Sequence, residues 1–209
     1  MTVCLKATMN KRNALQWILS GVTLAALAGM TAGCSENKPS FGAIDITGAD
    51  YARDFSLTDH NGQARSLKDF AGKVVVLFFG YTQCPDVCPT AMLELAEVKR
   101  LLGADGERLQ GLFVTVDPAR DTPEMLKAYM EAFDPGFLAL YTTPEKLEAL
   151  AKEYKVYYKK VDGKTPTSYS MDHSAGSYVY DTRGKLRLYT RYGSGAALLA
   201  ADIKLLLKS

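Results

Sequence analysis

The run Lys73 to Phe79, KVVVLFF, is apolar from Val74 onward with no polar alternation. A strand of that composition is covered on both faces, so it belongs in the middle of a sheet sandwiched between other layers. The next segment is equally informative. GYTQCPDVCPTAM leads into apolar residues at helical spacing (Met92, Leu95, Val98, Leu101, Leu102), with Gly103 as a natural stop. Gly111 to Val116 reads as a second buried strand. Asp121-Thr122-Pro123-Glu124 is a helix start leading into Met125 to Phe133, and Thr143-Pro144-Glu145 repeats the device before Lys146 to Tyr154. A strand at Val156 to Val161 and a polar loop from Asp162 to Met171 come next. Strands at Ser177 to Tyr180 and Lys185 to Arg191 then flank the turn Asp181 to Gly184, and a helix from Ala196 to Leu207 closes the chain. Upstream, Asp54 to Leu57 and Gln63 to Leu67 flank Asn61-Gly62, a strong hairpin signal with His60 as a solvated turn residue. Strand, helix, strand, helices, hairpin and helix in this order give a thioredoxin-like α/β three-layer sandwich with an N-terminal β-hairpin addition.

Cys84 and Cys88 fall where the buried strand gives way to the helix, the edge of such a sheet at which ligands are met. Pro85 pushes Cys84 into an extended conformation, and Pro89 suits a first helical position, so the helix is expected to begin at or near Cys88. Residues four apart on a helical turn share a face with Cβ atoms about 5–6 Å apart, so both sulfurs can meet one metal ion. A tighter loop closes the same pair to a disulfide, which needs Cβ atoms about 3.8 Å apart. Metal and disulfide are thus alternative states of one dithiol. The positive end of the helix dipole is expected to favour the thiolate.

The first 33 residues carry Lys6, Lys11 and Arg12 and no acid, then an apolar segment from Ala14 to Ala28 and the small residues before Cys34. Residues 1–33 read as a lipoprotein-type signal peptide. The residues before Cys34 resemble a bacterial lipobox, with Thr31 where that pattern usually has Leu. The expectation is an exported protein anchored by a lipid on Cys34, with residues 34–50 as tether and 51–209 as a domain on the periplasmic side of a membrane. Without the first 33 residues, 22 basic face 23 acidic side chains, a net charge of −1 that gives no electrostatic footprint for nucleic acid. Arg183, Lys185, Arg187 and Arg191 form a basic stripe on one face of their strand, expected to be solvated. With Cys34 lipidated, only Cys84 and Cys88 remain to pair within the exported domain.

The chain has two histidines. His173, in TSYSMDHSAGSYVYD, is expected in a loop just before a strand, where a thioredoxin-like fold passes beside the dithiol. Two thiolates and one imidazole form a soft set suited to copper, whereas structural zinc takes four protein ligands. The competing assignment is a histidine that only hydrogen-bonds in the loop. Met171, though a soft donor, is expected to pack.

GYTQCPDVCPTAM, VTVDPARDTPEML and MDHSAGSYVYD together resemble the Sco/SenC family of copper-binding proteins that help assemble cytochrome c oxidase, over about Asp54 to the end. The resemblance implies Cys84, Cys88 and His173 as ligands for Cu(I) or Cu(II), and delivery to the dinuclear copper site of the oxidase subunit that carries it. Such a metallochaperone would need a thioredoxin-like reductant. The resemblance also allows a thiol–disulfide oxidoreductase that keeps the oxidase cysteines reduced, although the three-residue insert departs from the usual Cys-x-x-Cys. Asp117, in the VDP block at a strand end, and Asp172 are expected either to orient a ligand or engage the partner, or only to cap a turn. FSLTDHNGQARSLKDFAGK also resembles the entry to the peroxiredoxin superfamily. Those enzymes place a threonine three residues before the reactive cysteine, and here Thr82 is two before Cys84.

Overall fold

A computed structural model of the protein describes residues 40–165 and 168–208. The signal segment, Cys34 and the first part of the tether lie outside the described residues. The strands are β1 (Ile44–Asp45), β2 (Leu57–Asp59), β3 (Ala64–Arg65), β4 (Val74–Gly80), β5 (Leu109–Thr115), β6 (Leu138–Tyr141), β7 (Tyr158–Asp162), β8 (Tyr169–His173), β9 (Ser177–Tyr180) and β10 (Leu186–Thr190). The helices are α1 (Val87–Leu102), α2 (Pro123–Glu131), α3 (Pro144–Glu153) and α4 (Ala196–Leu206). An eight-stranded sheet runs β1-β10-β9-β4-β5-β6-β2-β3, and β7 and β8 form a separate two-stranded sheet. β4, β5 and β6 are parallel, while β9 runs antiparallel to β4 and β10 antiparallel to β9.

All seven residues of β4 are buried, as the unbroken apolar run requires. Alternation along the strand sends Phe78 and Phe79 to opposite faces. Phe78 lies 6.2 Å from Phe113, on the side of the dithiol, and Phe79 lies 5.3 Å from Tyr154 at the end of α3. α1 and α4 pack against each other. The sheet between two helical coverings is the expected three-layer arrangement. No helix among the described residues is long and apolar enough to cross a membrane.

Several expectations are corrected. The N-terminal hairpin exists, but its strands close in on the turn, with Leu57 opposite Arg65 and Thr58 opposite Ala64. It extends the main sheet through β2 and β6, where Thr58 faces Tyr141. The turn lies at Asn61-Gly62 as expected, with Gly62 at φ +81°, and Asp59 braces it: its carboxylate accepts the N–H groups of Asn61 and Gln63 at 2.8 and 3.0 Å and pairs with Arg65 at 2.8 Å. His60 is half-buried, its Nδ1 accepting the Ala139 N–H at 3.2 Å. Residues 40–50, expected as tether, are partly built into the domain. Gly42 and Ala43 each donate a backbone N–H at 2.8 Å to Asp202, and β1 pairs with β10. Of the basic stripe, Arg183, Lys185 and Arg191 are exposed as expected, whereas Arg187 is largely covered and pairs at 3.2 Å with the buried carboxylate of Asp181, which Arg183 also reaches at 3.4 Å.

Candidate metal centre

β4 ends at Gly80 and the chain turns through Tyr81 to Asp86 before α1 begins at Val87. The helix thus starts one residue before Cys88, and Pro89 takes its third position. That is still within the first turn, where a missing N–H costs nothing. The first helical bond runs from Thr90 N–H to Asp86 O at 3.2 Å. Cys88 is completely buried and Cys84 is partly exposed. The Cys88 N–H points at the Cys84 sulfur at 3.5 Å, one turn of helix back.

His173 is the last residue of β8 and not a loop residue. The polar stretch from Asp162 to Met171 contains most of this strand, which pairs with β7 so that Tyr158 lies opposite His173. The imidazole reaches the dithiol across 85 residues of chain, with Nε2 at 3.3 Å from the Cys88 sulfur. On its other side Nδ1 lies 2.9 Å from the carbonyl of Ser174. A carbonyl accepts only, so Nδ1 carries the proton and Nε2 presents its lone pair to the sulfurs. Phe78 and Tyr81 hold the ring edge to face at 5.9 Å each. The two sulfurs and the imidazole nitrogen all lie within 4.8 Å of one another, a group that can hold a metal ion.

Protonation follows from burial. Desolvation pushes the Cys88 thiol well above its ordinary range, with the nearby Cys84 adding to the effect. Burial thus works against the thiolate expected at the start of the helix. Burial also lowers the His173 pKa, opposed by the Ser174 carbonyl and the charge of Asp172, so the ring is neutral at and above neutral pH. A Cys88 S–H donating to Nε2 is the consistent assignment of the protons.

Of the two expected supporting acids, Asp172 is exposed and acts on His173 through space. Asp117 is buried, accepts the Tyr169 hydroxyl at 2.9 Å and pairs with Arg120. The carboxylate that braces the dithiol loop is Asp121, whose sequence context is that of a helix start. It accepts the hydroxyls of Thr82 and Thr115 at 2.6 Å each, together with the Thr82 N–H at 3.1 Å. The cap itself is Thr122, whose oxygen accepts the Met125 N–H at 3.3 Å. Gly80 matters for the opposite reason: a Cβ there would stand 2.8 Å from the Cys88 sulfur and 2.7 Å from the Phe113 ring.

The sequence and the fold have counterparts among known proteins. The profile of the SCO1/SenC family matches residues 45–208. A "SCO2-like protein" of Rickettsia felis is 33% identical over 151 residues, covering 71% of this chain and 74% of its own. The bovine "Protein SCO2 homolog, mitochondrial" is 39% identical over 145 residues, covering 68% of this chain and 53% of its own, so the chain spans about half the length of that relative. The copper-bound ScoI of Bradyrhizobium japonicum superposes with a TM-score of 0.67 at 40% identity, over 73% of this chain and 97% of that one. Copper-bound yeast Sco1 does so at 0.67 and 31% identity, over 82% and 90%. The profile match over residues 45–208 and the superposable architecture agree, and this chain belongs to the SCO1/SenC family.

Proposed function

We propose that this protein binds copper through Cys84, Cys88 and His173 and passes it to the dinuclear copper site of cytochrome c oxidase. The observation that carries the reading is the convergence of two thiol sulfurs and one unprotonated imidazole nitrogen within 4.8 Å, from two stretches of chain 85 residues apart. Three soft donors suit copper better than structural zinc, which takes four protein ligands. The copper-bound structures of the Bradyrhizobium and yeast relatives support the choice of metal.

Copper is cargo here, and transfer is an exchange of ligands within a docked pair. Cys84, the partly exposed sulfur, is the first ligand an incoming thiolate can replace. Cys88, completely buried, lets go last. Loading requires the dithiol, because a Cys84–Cys88 disulfide has no thiolate to offer. A thioredoxin-like reductant therefore acts upstream, and full loading with no reductant system present would contradict the account. In this reading Asp172, exposed on β8, engages the recipient. The lipid on Cys34 tethers the domain to its membrane on the periplasmic side, and Cys34→Ser would release the protein to the soluble fraction.

The test is a Cu(I) and Cu(II) titration of the reduced protein beside its Cys84→Ser, Cys88→Ser and His173→Ala variants. Loss of copper affinity in His173→Ala with dithiol exchange intact supports the reading. Unchanged copper binding in that variant removes His173 from the site. The unequal exposure of the two sulfurs favours a second reading, in which Cys84 attacks a disulfide of the oxidase copper site and Cys88 resolves the mixed disulfide. Trapping that mixed disulfide with Cys88→Ser tests it.

A further inference from the structure

His173 is delivered by a hairpin that has little of its own to keep it in place. β7 and β8 form a sheet separate from the main one. A lone two-stranded hairpin is marginally stable in water. Past Tyr158, which packs against the core, every residue of β7 is exposed, so the outer part of the hairpin is held to the body by the inner face of β8. That face consists of Tyr169, Met171 and His173, which alternation places on one side of the strand. Met171 is buried and His173 meets the dithiol.

Tyr169 is gripped by Arg120. The guanidinium stacks 3.5 Å from the centre of the Tyr169 ring, and Nη1–H donates to the Tyr169 carbonyl at 2.9 Å. Nε–H donates to Asp117, whose second oxygen accepts the Tyr169 hydroxyl at 2.9 Å. Nη1–H also reaches Gln83, the residue before Cys84, at 3.2 Å. One side chain therefore joins the dithiol loop, the loop after β5 and the far end of the strand that ends in His173. Four steps of about 3.3 Å along the strand lead from Tyr169 to His173, a lever of roughly 13 Å.

We propose that Arg120 is the latch that positions His173 over the dithiol, so that the hairpin carrying the imidazole swings as a unit when the Arg120–Tyr169–Asp117 cluster lets go. This rests on His173 being a copper ligand. Arg120 touches no donor atom of the site; it acts through β8. Release of the latch withdraws the one nitrogen donor and leaves copper on two sulfurs, the state from which a recipient takes it most easily.

The test crosses Arg120→Leu, Arg120→Lys and Tyr169→Phe with His173→Ala and reads Cu(I) affinity by competition with a chromogenic chelator. Loss of a residue that orients a ligand weakens metal binding by about 10–100-fold. Arg120→Leu is expected to do so, and Arg120→Lys nearly as much, because an ammonium can neither stack on the ring nor bridge three acceptors. Tyr169→Phe keeps the stack and loses less. In the His173→Ala background the same substitutions are expected to leave affinity unchanged, since the residue they position is gone. Amide hydrogen exchange of the metal-free protein supplies a second readout: β8 is expected to exchange faster in Arg120→Leu while α1 and β4 do not. Should Arg120→Leu fail to fold, Arg120→Lys and Tyr169→Phe carry the comparison. Equal losses with and without His173, or undiminished affinity in Arg120→Lys and Tyr169→Phe, would overturn the latch. Unchanged affinity in His173→Ala alone would instead overturn the ligand assignment beneath it.

Discussion

Gly80→Ala tests how tightly the sheet is fitted to the dithiol. The added methyl would meet the Phe113 ring at 2.7 Å, the Cys88 sulfur at 2.8 Å and the Phe78 ring at 2.9 Å. Non-bonded heavy atoms settle at roughly 3.5–4.0 Å, so each neighbour must retreat by about 1 Å. None has room, because Phe78, Phe113 and Cys88 are each 0% exposed. Overpacking of a filled core costs about 1–3 kcal/mol, and three rigid neighbours put this case near 2–3. With a urea dependence of about 2 kcal/mol per molar, the unfolding midpoint of the reduced protein should fall by about 1 M. Copper affinity should fall by about tenfold or more, since a site must be held to within roughly 0.5 Å of its productive geometry. The assay is urea unfolding followed by circular dichroism, with a Cu(I) competition titration on the same samples. In a Cys88→Ala background the methyl loses one of its three collisions, and its added cost should shrink by about 1 kcal/mol. A midpoint and an affinity both equal to the parent's would refute the idea that Gly80 is there to admit the sulfur.

The electrostatics of the site and its bracing carboxylate lead to two more outcomes. Because burial raises the Cys88 thiol, that sulfur is protonated at neutral pH and must give up its proton when metal binds. Affinity should therefore rise by about tenfold per pH unit for that one proton near neutrality. The lowered pKa of His173 means its ring has no proton to release there, so His173→Ala should leave the slope unchanged between pH 7 and 8. Calorimetry in buffers of different ionisation enthalpy counts the protons. Asp121→Asn leaves part of the donor set of Thr82 and Thr115 unmatched and should cost about 1–3 kcal/mol in the same urea assay, with weaker copper binding as the Thr82 loop loosens. Stability and affinity both unchanged would show that the loop stands without it.

The central strand, the first helix and the dithiol between them are legible in the sequence because each has a strong local signature: an unbroken apolar run, a helical period, and paired cysteines beside prolines. β6 is not. Its four residues, Leu138 to Tyr141, come after a helix and a Pro-Gly turn too closely to stand out as a separate strand, and its pairing with β5 is a property of the sheet. β8 reads as polar loop because Ser170 and Asp172 face water and only Met171 is buried, so a strand covered on one side by a small hairpin carries almost no apolar pattern. The expectation that His173 meets the cysteines needs only the fold class. The supports around them need the folded structure: Asp121 reads in the sequence only as part of a helix start, and Arg120 has no signature of its own. Nothing in their spacing points to Thr82 or Tyr169.

X-ray absorption at the copper edge of the reduced, Cu(I)-loaded protein tests the central claim most directly. The account predicts two sulfur scatterers and one nitrogen scatterer around the metal, with the nitrogen lost in His173→Ala and one sulfur lost in each of Cys84→Ser and Cys88→Ser. A shell made only of sulfur, or a nitrogen that persists in His173→Ala, would contradict it.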